Sequence, residues 1–193
     1  MRRICVYAGS NPGSHPAYAD GAKALATTLA ERGIALVFGG SKLGLMGVLA
    51  DTVLDAGGEA IGVMPQALID REIGHEGLTE LRIVSSMHER KALMAELSDA
   101  FVAVPGGIGT LEELIEVYTW SQLGIHAKAC GVLNVDGYYN HLAAFLDHAV
   151  TQGFLRPQHR AVLSVADEPA ELLDLLAAFE PPTVGKWLER DQR

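Results

Sequence analysis

Short apolar runs alternate with longer amphipathic segments along most of the chain, and this alternation limits how the chain can fold. The apolar runs lie at residues 4–8, 34–38, 60–63, 81–84, 100–104 and 129–134. They are continuously apolar, as is typical of strands that are buried on both faces of a parallel sheet. The alternation therefore predicts an α/β fold, with a parallel sheet flanked by helices.

The amphipathic segments between these runs predict the helices. We expect helices at residues 16–32, 45–56, 89–97, 111–122, 138–152 and 169–179. A chain of 193 residues that is 49% hydrophobic can bury one sizeable core, so we expect a single domain over residues 1–180. The charged segment 181–193, which begins with two prolines, is expected to be a mobile C-terminal tail.

The net charge indicates which kinds of molecule the protein can bind, and the cysteine content indicates whether it contains disulfides or a zinc site. The net charge of −9, from 15 basic and 24 acidic residues, opposes attraction to nucleic acid and to anionic membranes. No apolar stretch approaches the ~20 residues of a membrane span, and no signal peptide is evident, so we expect a cytoplasmic protein with small-molecule or protein partners. Cys5 and Cys130 lie in apolar strand-like runs, which predicts buried free thiols rather than a disulfide or a zinc site.

The segment PGGIGTLEE at residues 105–113 follows one of the predicted strands. Three glycines within four residues allow a ligand to approach the backbone closely, and free N–H groups at the following helix start favour an anion there. Glu113, one turn further on, is a poor phosphate ligand because like charges repel. If Glu113 faces the site, it should face something electropositive, such as a developing sugar cation. Alternatively, Thr110 and Glu113 form only a capping box.

Two more glycine-rich loops, residues 8–14 and 39–47, follow the first two predicted strands. Ligands of parallel sheets bind beyond the carboxyl ends of the strands, where these loops should lie. Neither loop has the GxGxxG fingerprint or the P-loop spacing, which argues against a nicotinamide cofactor and against nucleoside triphosphate chemistry. Each loop could also be no more than a tight strand-to-helix turn.

The segment from Ser86 to Lys91 begins another predicted helix. Ser86 and Glu89 fit a capping box. Arg90 and Lys91 are cations near a helix N-terminus, where they oppose the helix dipole, so they indicate a nearby anion unless they are a solvated basic pair. Arg90 could bind a phosphate through two hydrogen bonds or pair with Glu113.

Other candidate sites have less support in the sequence. His141 and His148 share one face of a predicted helix, but no third metal ligand is evident, so we expect surface histidines and no metal site. Ser85 and Ser86 lack the GxSxG context of a nucleophilic serine, which leaves covalent acyl chemistry unsupported.

Two of these segments together resemble the signatures of a known family. MHERK at residues 87–91, followed by PGGIGTLEE at 105–113, resembles the MHxRK and PGGxGTxxE motifs of the LOG (lonely guy) family. Members of that family are cytokinin riboside 5′-monophosphate phosphoribohydrolases, formerly labelled lysine decarboxylases.

Further segments extend the resemblance to about residues 3–165. The loop at 39–47 is similar to the family's GG(G/S)xxGLMG loop, and residues 119–126 are similar to its TWxQLGIH helix. The segment NVDGYY at residues 134–139 also matches. Ser41 stands where the commonest form of the loop has a third glycine, a change that should leave the loop's backbone contacts intact.

The resemblance implies a Rossmann-like, doubly wound fold without a cofactor, and a homodimer. It also implies hydrolysis of the N-glycosidic bond of an adenosine 5′-monophosphate, with or without an N6 substituent, to the free base and ribose 5-phosphate, the reaction that activates cytokinins. Arg90 and Glu113 would be the catalytic pair. The implied substrate-binding residues are Glu72, Lys91, Gly107, Ile108, Gly109, Thr110, Leu111, Glu112 and Thr119. Additional loop contacts are expected from Ser10, Gly40, Ser41 and Gly106.

Two alternatives stay open on the sequence alone. The same loops could serve a non-catalytic nucleotide- or phosphate-binding carrier or sensor. The old family label suggests a pyridoxal-phosphate-dependent lysine decarboxylase, but Lys91 beside Arg90 fits anion binding better than a Schiff base. The sequence assigns no proton donor for the leaving base and does not separate N6-prenylated substrates from plain AMP.

Overall fold

Seven strands form one sheet in the computed structural model, which describes residues 1–71 and 74–182. In chain order they are β1 (Arg3–Tyr7), β2 (Ala35–Phe38), β3 (Ala60–Pro65), β4 (Glu80–Val84), β5 (Ala100–Ala103), β6 (Ala129–Leu133) and β7 (Leu163–Ala166). Across the sheet the order is β4-β3-β2-β1-β5-β6-β7, and every neighbouring pair is parallel. The chain reverses its direction of travel across the sheet between β1 and β5, the position at which such sheets bind ligands.

Helices connect the strands and cover both faces of the sheet. The α-helices are α1 (Pro16–Glu31), α2 (Gly44–Asp55), α3 (Gln66–Ile69), α4 (Met87–Leu97), α5 (Ile108–Gln122), α6 (Asn140–Thr151), α7 (Pro157–Arg160) and α8 (Pro169–Ala177), with a 3-10 turn at Val135–Gly137. The α/β, Rossmann-like, doubly wound arrangement with helices on both sides confirms the predicted fold class and the single domain.

The two faces of β1 show how the core is divided. Successive strand side chains point to opposite faces, so Ile4 and Val6 pack with α1, α2 and α8, while Cys5 and Tyr7 pack with α4, α5 and α6. All four side chains are at most 2% exposed. This burial on both faces explains why the apolar runs in the sequence are continuous rather than alternating.

Several element boundaries differ from the prediction. β7 was not predicted, because it is only four residues long and its two middle side chains at the sheet edge are half-buried. The short helices α3 and α7 were not predicted either. α6 begins at Asn140 rather than at residue 138, since a 3-10 turn with Asp136 in the left-handed region precedes it.

Other expectations concern cysteines, histidines and the chain end. Cys5 and Cys130 are buried free thiols, as predicted. His141 and His148 are exposed, and the described residues contain no cluster of three His, Cys, Asp or Glu side chains that could hold a metal ion. None of the described helices has the length and apolar character that crossing a membrane requires. Residues 183–193 lie outside the described residues, so the domain boundary at 180 stays a prediction.

Gly44 and Gly57 provide a matched test of how closely the loops pack. Both have positive φ, +56° and +75°, but a Cβ on Gly44 would lie 2.3 Å from the Ser10 carbonyl carbon, whereas a Cβ on Gly57 would meet nothing within 4 Å. We predict that Gly57→Ala lowers the free energy of unfolding by about 1–2 kcal/mol, the cost of the left-handed conformation alone. Gly44→Ala should cost clearly more in urea unfolding, because the backbone around Ser10 must move. Equal losses for the two variants would contradict this account.

Candidate active site

Three glycine-rich loops meet where the sheet order reverses. Gly9, after β1, donates its N–H to the Pro105 carbonyl oxygen after β5 at 3.2 Å. Leu45, in the loop after β2 and at the start of α2, donates its N–H to the Gly9 carbonyl oxygen at 3.0 Å. The loops are therefore more than separate tight turns, since backbone hydrogen bonds join all three into one surface at the carboxyl edge of the sheet.

A cavity of about 280 Å³ opens between the first and third loops. It is lined by Gly9, Ser10, Asn11, Pro12, Gly13, Tyr18, Leu45, Pro105, Gly106, Gly107 and Tyr138. A larger groove of about 610 Å³ lies at the opposite, amino-terminal edge of the sheet. The smaller cavity is the better candidate, because parallel sheets bind ligands at their carboxyl edge and the glycine-rich loops lie there.

The N-terminus of α5 presents free backbone donors beside this cavity. The helix begins at Ile108 with Gly107 as its N-cap, three residues earlier than predicted, and Leu111 makes the first helical hydrogen bond, to the Gly107 carbonyl at 3.1 Å. The N–H groups of Ile108, Gly109 and Thr110 therefore have no helical acceptor. Gly107 and Gly109 leave their Cβ positions open, so an anion can approach these donors closely.

The earlier helix start shows that the capping-box interpretation of Thr110 and Glu113 is wrong. No side chain caps α5, and Thr110 lies within the first turn, only 4% exposed. Its hydroxyl oxygen occupies space that a Cβ on Gly106 would enter, at 2.1 Å. Glu113 is thus free of a capping role.

Arg90 extends from α4 to the carboxyl edge of the sheet and is 8% exposed. Its Nε donates to the Val63 carbonyl oxygen at 3.0 Å, and its Nη2 donates to the Gly39 carbonyl oxygen at 3.2 Å. A Cβ on Gly39 would lie 1.8 Å from Nη2, so only glycine at position 39 admits this guanidinium. Two edges of the guanidinium are therefore occupied by backbone carbonyls. Nη1 forms the remaining edge, and it donates a weak hydrogen bond to Met87 Sδ at 3.8 Å.

Glu113 lies opposite that remaining edge. Its Oε1 is 3.8 Å from Arg90 Nη1, an ion-pair distance too long for a hydrogen bond, and its side chain is 14% exposed. Burial raises the pKa of Glu113, and the charge of Arg90 opposes that rise. Of the two partners predicted for Arg90, the structure places Glu113 beside it.

Lys91 pairs with carboxylates on α5. Its Nζ lies 2.6 Å from Glu112 Oε1 and 3.1 Å from Glu116 Oε1, and its side chain is 12% exposed. The hydrogen bond to Glu112 raises the pKa of Lys91. Arg90 and Lys91 are thus not a solvated basic pair, because both are largely buried and both face carboxylates. Thr119, half-buried, follows Glu112 and Glu116 along the same face of α5.

The start of α4 confirms half of the predicted capping box. The Ser86 hydroxyl accepts a hydrogen bond from the Glu89 N–H at 3.1 Å. The Glu89 carboxylate, however, accepts hydrogen bonds from the N–H and hydroxyl of Ser85, both at 2.7 Å, rather than from the Ser86 N–H. These bonds lower the pKa of Glu89.

The other candidate binding residues are divided between the cavity and the interior. Ser10 and Gly106 line the cavity. Gly40 and Ser41 are buried: the Gly40 carbonyl accepts a hydrogen bond from the His75 N–H, and the Ser41 hydroxyl accepts one from the Leu43 N–H at 3.1 Å. Their polar groups therefore stabilise the loop at residues 39–47 through hydrogen bonds. Leu111 is half-buried on α5, and Glu72 lies outside the described residues.

Tyr138 and Tyr139 contact the site but were not predicted to do so. The Tyr138 hydroxyl donates to the Gly106 carbonyl oxygen, and the Tyr139 hydroxyl donates to the Val104 carbonyl oxygen at 2.7 Å. Both residues belong to the NVDGYY segment, which entered the sequence analysis only as part of the family resemblance. The sequence could have indicated this contact, because both residues follow the predicted strand at 129–134 and so lie at the same edge of the sheet as the glycine-rich loops.

Comparison with known proteins found a matching family and similar sequences. Residues 46–176 match the model of a protein family described as "Possible lysine decarboxylase". Cytokinin riboside 5′-monophosphate phosphoribohydrolase LOG5 of Arabidopsis thaliana is 48% identical over 185 residues, covering 96% of this chain and 81% of that protein. Its paralogue LOG3 is 50% identical over 181 residues, covering 94% of this chain and 84% of that protein.

A solved structure shares the fold. The molybdenum cofactor carrier protein of Chlamydomonas reinhardtii aligns with a TM-score of 0.69 and 23% identity, over 92% of this chain and 99% of that chain. At this level of identity the similarity concerns the fold alone.

The raised pKa of Glu113 predicts a pH-dependent effect on stability. A carboxyl group whose pKa is raised by folding contributes stability at pH values below its unfolded pKa, and that contribution is lost as the pH rises through the folded pKa. Glu113→Gln cannot ionise, so its melting temperature relative to the wild type should increase as the pH is raised from about 5 to about 8.

Glu96→Gln is the matched control, since Glu96 is an exposed carboxylate on α4. Its melting temperature relative to the wild type should stay constant over the same pH range. Thermal unfolding followed by circular dichroism measures both differences. A flat difference for Glu113→Gln would contradict the burial of an ionisable group at this position.

Proposed function

Because this chain belongs to the LOG family of cytokinin riboside 5′-monophosphate phosphoribohydrolases, we propose that it hydrolyses the N-glycosidic bond of adenosine 5′-monophosphates, N6-substituted ones included. The products are the free base and ribose 5-phosphate. In this proposal the cavity at the reversal of the sheet is the nucleotide site, and the reaction needs no cofactor from outside the chain.

One observation carries the proposal: the largely buried carboxylate of Glu113 lies about one helical turn beyond backbone N–H groups that lack a helical acceptor. The N–H groups at Ile108–Thr110 are suited to the 5′-phosphate, and Glu113 follows Gly109 by four residues, about 6 Å along the helix axis. That span is comparable with the one between the 5′-phosphate and C1′ of the same ribose. Binding of the phosphate at the helix N-terminus would therefore bring the anomeric carbon to the carboxylate.

The residues suit the chemistry of N-glycoside hydrolysis. As the bond between C1′ and the base breaks, the sugar acquires oxocarbenium character, which a nearby carboxylate stabilises. Ionised Glu113 can also orient the water that adds to C1′. The hydroxyl of that water ends on C1′, and its proton ends on the leaving base. Arg90 stays charged near neutrality, and its role here is to favour the ionised form of the buried Glu113.

The surrounding residues complete the proposed site. Lys91 is ion-paired with Glu112 and Glu116, which fixes α4 against α5. We propose that Lys91 and Glu112 also contact the substrate, as the family resemblance implies. We propose substrate contacts for Thr119 and Leu111 on α5, and for Glu72, as the family resemblance implies.

The alternative functions lack a supporting observation. The similarity to the molybdenum cofactor carrier concerns the fold alone and does not favour a carrier function for this chain. A Schiff-base lysine must be reactive as the neutral amine. Lys91 has the opposite environment, because its two carboxylate partners raise its pKa. Lys91 therefore does not fit the Schiff-base lysine that the decarboxylase description of the family model would require.

The decisive assay follows release of the free base from three compounds. We expect AMP or N6-isopentenyladenosine 5′-monophosphate to release its base, and the unphosphorylated riboside to release little, because it lacks the group that positions the sugar. Glu113→Gln should lower kcat/KM by about 100-fold or more, the loss typical of a group that stabilises transition-state charge. Glu96→Gln, an exposed carboxylate on the same protein, should stay within about twofold of the wild type. Chromatography of the released bases gives all these rates.

One result would count against the hydrolase, and another would count against the proposed role of Glu113. Saturable nucleotide binding without any free base would favour the carrier or sensor function. Normal turnover by Glu113→Gln would remove the carboxylate from the mechanism, even if the wild type hydrolyses the substrate.

We further propose that the protein is a homodimer and is cytoplasmic. Support for the dimer comes from the family resemblance and from large apolar side chains that are exposed on β4, α4 and α5, namely Ile83, Met87, Ile108 and Ile115. The free thiols of Cys5 and Cys130 are compatible with a reducing compartment. Sedimentation equilibrium should give twice the chain mass of 20.6 kDa, and a mass of 20.6 kDa at micromolar concentration would contradict the dimer.

A further inference from the structure

Three consecutive carbonyl groups between β5 and α5, those of Val104, Pro105 and Gly106, accept hydrogen bonds from other parts of the chain. The Val104 carbonyl accepts from the Tyr139 hydroxyl at 2.7 Å. The Pro105 carbonyl accepts from the Gly9 N–H at 3.2 Å, and the Gly106 carbonyl accepts from the Tyr138 hydroxyl. Glycine-rich loops are usually flexible. Here, each of three successive peptide carbonyls is held by a hydrogen bond from another part of the chain.

The orientation of the Gly106 carbonyl determines where the next N–H points. In a planar trans peptide the C=O of one residue and the N–H of the following residue point in opposite directions. Neither Gly106 nor Gly107 has a Cβ, so steric hindrance does little to prevent this peptide from rotating. The Tyr138 hydrogen bond selects one orientation and so aims the Gly107 N–H away from the tyrosine.

Tyr138 is itself held in place by a rigid turn. Asp136 and Gly137 both have positive φ, +52° and +69°, and for aspartate this conformation is unfavourable without support from its surroundings. That support includes Asn134, whose side chain accepts the Tyr139 N–H at 2.8 Å and donates to Asp167 at 2.9 Å.

Ring contacts further restrict Tyr138. Its ring meets the ring of Tyr18 edge-on, with centroids 5.5 Å apart, and that of Tyr139 in the same way at 5.1 Å. Tyr138 is 40% exposed, yet its hydroxyl has a fixed direction.

We propose that Tyr138 is a positioning residue that aligns the Gly106–Gly107 peptide for binding the 5′-phosphate. This inference rests on the proposed function for the identity of the bound anion. Tyr138 acts through the loop: its hydroxyl orients a backbone donor, and the donor binds the phosphate. Removing the hydroxyl should therefore weaken phosphate binding and leave the chemical step at Glu113 nearly unchanged.

Tyr138→Phe tests the proposal, because it removes the hydroxyl and keeps the ring packed against Tyr18. We expect the KM for AMP to rise about fivefold, the change that one hydrogen bond of ordinary strength produces, while kcat stays within about twofold. The Kd of ribose 5-phosphate, measured by calorimetry, should rise by a similar factor.

Tyr118→Phe is the matched control. The buried Tyr118 hydroxyl also donates to a backbone carbonyl, but this carbonyl is that of His159 in α7, at 2.9 Å, rather than one between β5 and α5. Loss of this hydrogen bond should lower the melting temperature without changing the KM or the Kd of ribose 5-phosphate.

An unchanged KM and Kd in Tyr138→Phe would overturn the proposal, as would a fall in kcat at constant KM. Equal increases of KM and Kd in both tyrosine variants would also overturn it, because the effect would then be general destabilisation. The calorimetric arm does not depend on turnover. If the wild type binds ribose 5-phosphate but releases no base, the hydrolase proposal fails while the role of Tyr138 is still decided by the Kd.

Discussion

Burial of the Arg90 guanidinium is the constraint on which the rest of the site depends. A charge that is 8% exposed is tolerated only where its N–H groups and its charge are both matched. The carbonyls of Val63 and Gly39 accept from two of its edges, and Glu113 supplies the opposite charge. These partners belong to β3, to the loop after β2 and to α5, so one side chain connects three elements at the carboxyl edge of the sheet.

This arrangement also explains several glycines in physical terms. Because Gly39 has no Cβ, there is room beside it for the Arg90 guanidinium, and Gly106 leaves room for the Thr110 hydroxyl in the same way. Gly44 allows the loop after β2 to approach the loop after β1. Gly107 and Gly109 have a different role, because nothing in the described structure occupies the space beside them. The first group allows the loops to pack against one another, and the second group leaves room for a ligand.

The sequence predicted the fold class well, because burial on both sheet faces produces continuous apolar runs such as residues 4–8. It missed β7, whose position at the sheet edge leaves only a short and weakly apolar segment. The sequence also brought Arg90 and Glu113 into one hypothesis, but local spacing could not decide between a capping box and an ion pair. Which of the two is correct depends on where α5 begins. The N-cap of α5 is Gly107, which has no side chain to cap the helix, so no capping side chain in the sequence marks this start.

The contacts of Tyr138 and Tyr139 could not be predicted for a related reason. They join residues that are 32 and 35 positions apart, and the hydrogen bonds exist only because β5 and β6 are neighbours in the sheet. Lys91 shows the same limit: the sequence indicated a nearby anion, whereas the structure supplies the carboxylates of Glu112 and Glu116.

A crystal structure of Glu113→Gln with AMP bound tests the central claim most directly. The account predicts phosphate oxygens within about 2.7–3.2 Å of the N–H groups at the start of α5, and the Gln side chain at position 113 within about 3–4 Å of C1′. A phosphate bound elsewhere, or a residue 113 directed away from the ribose, would contradict it.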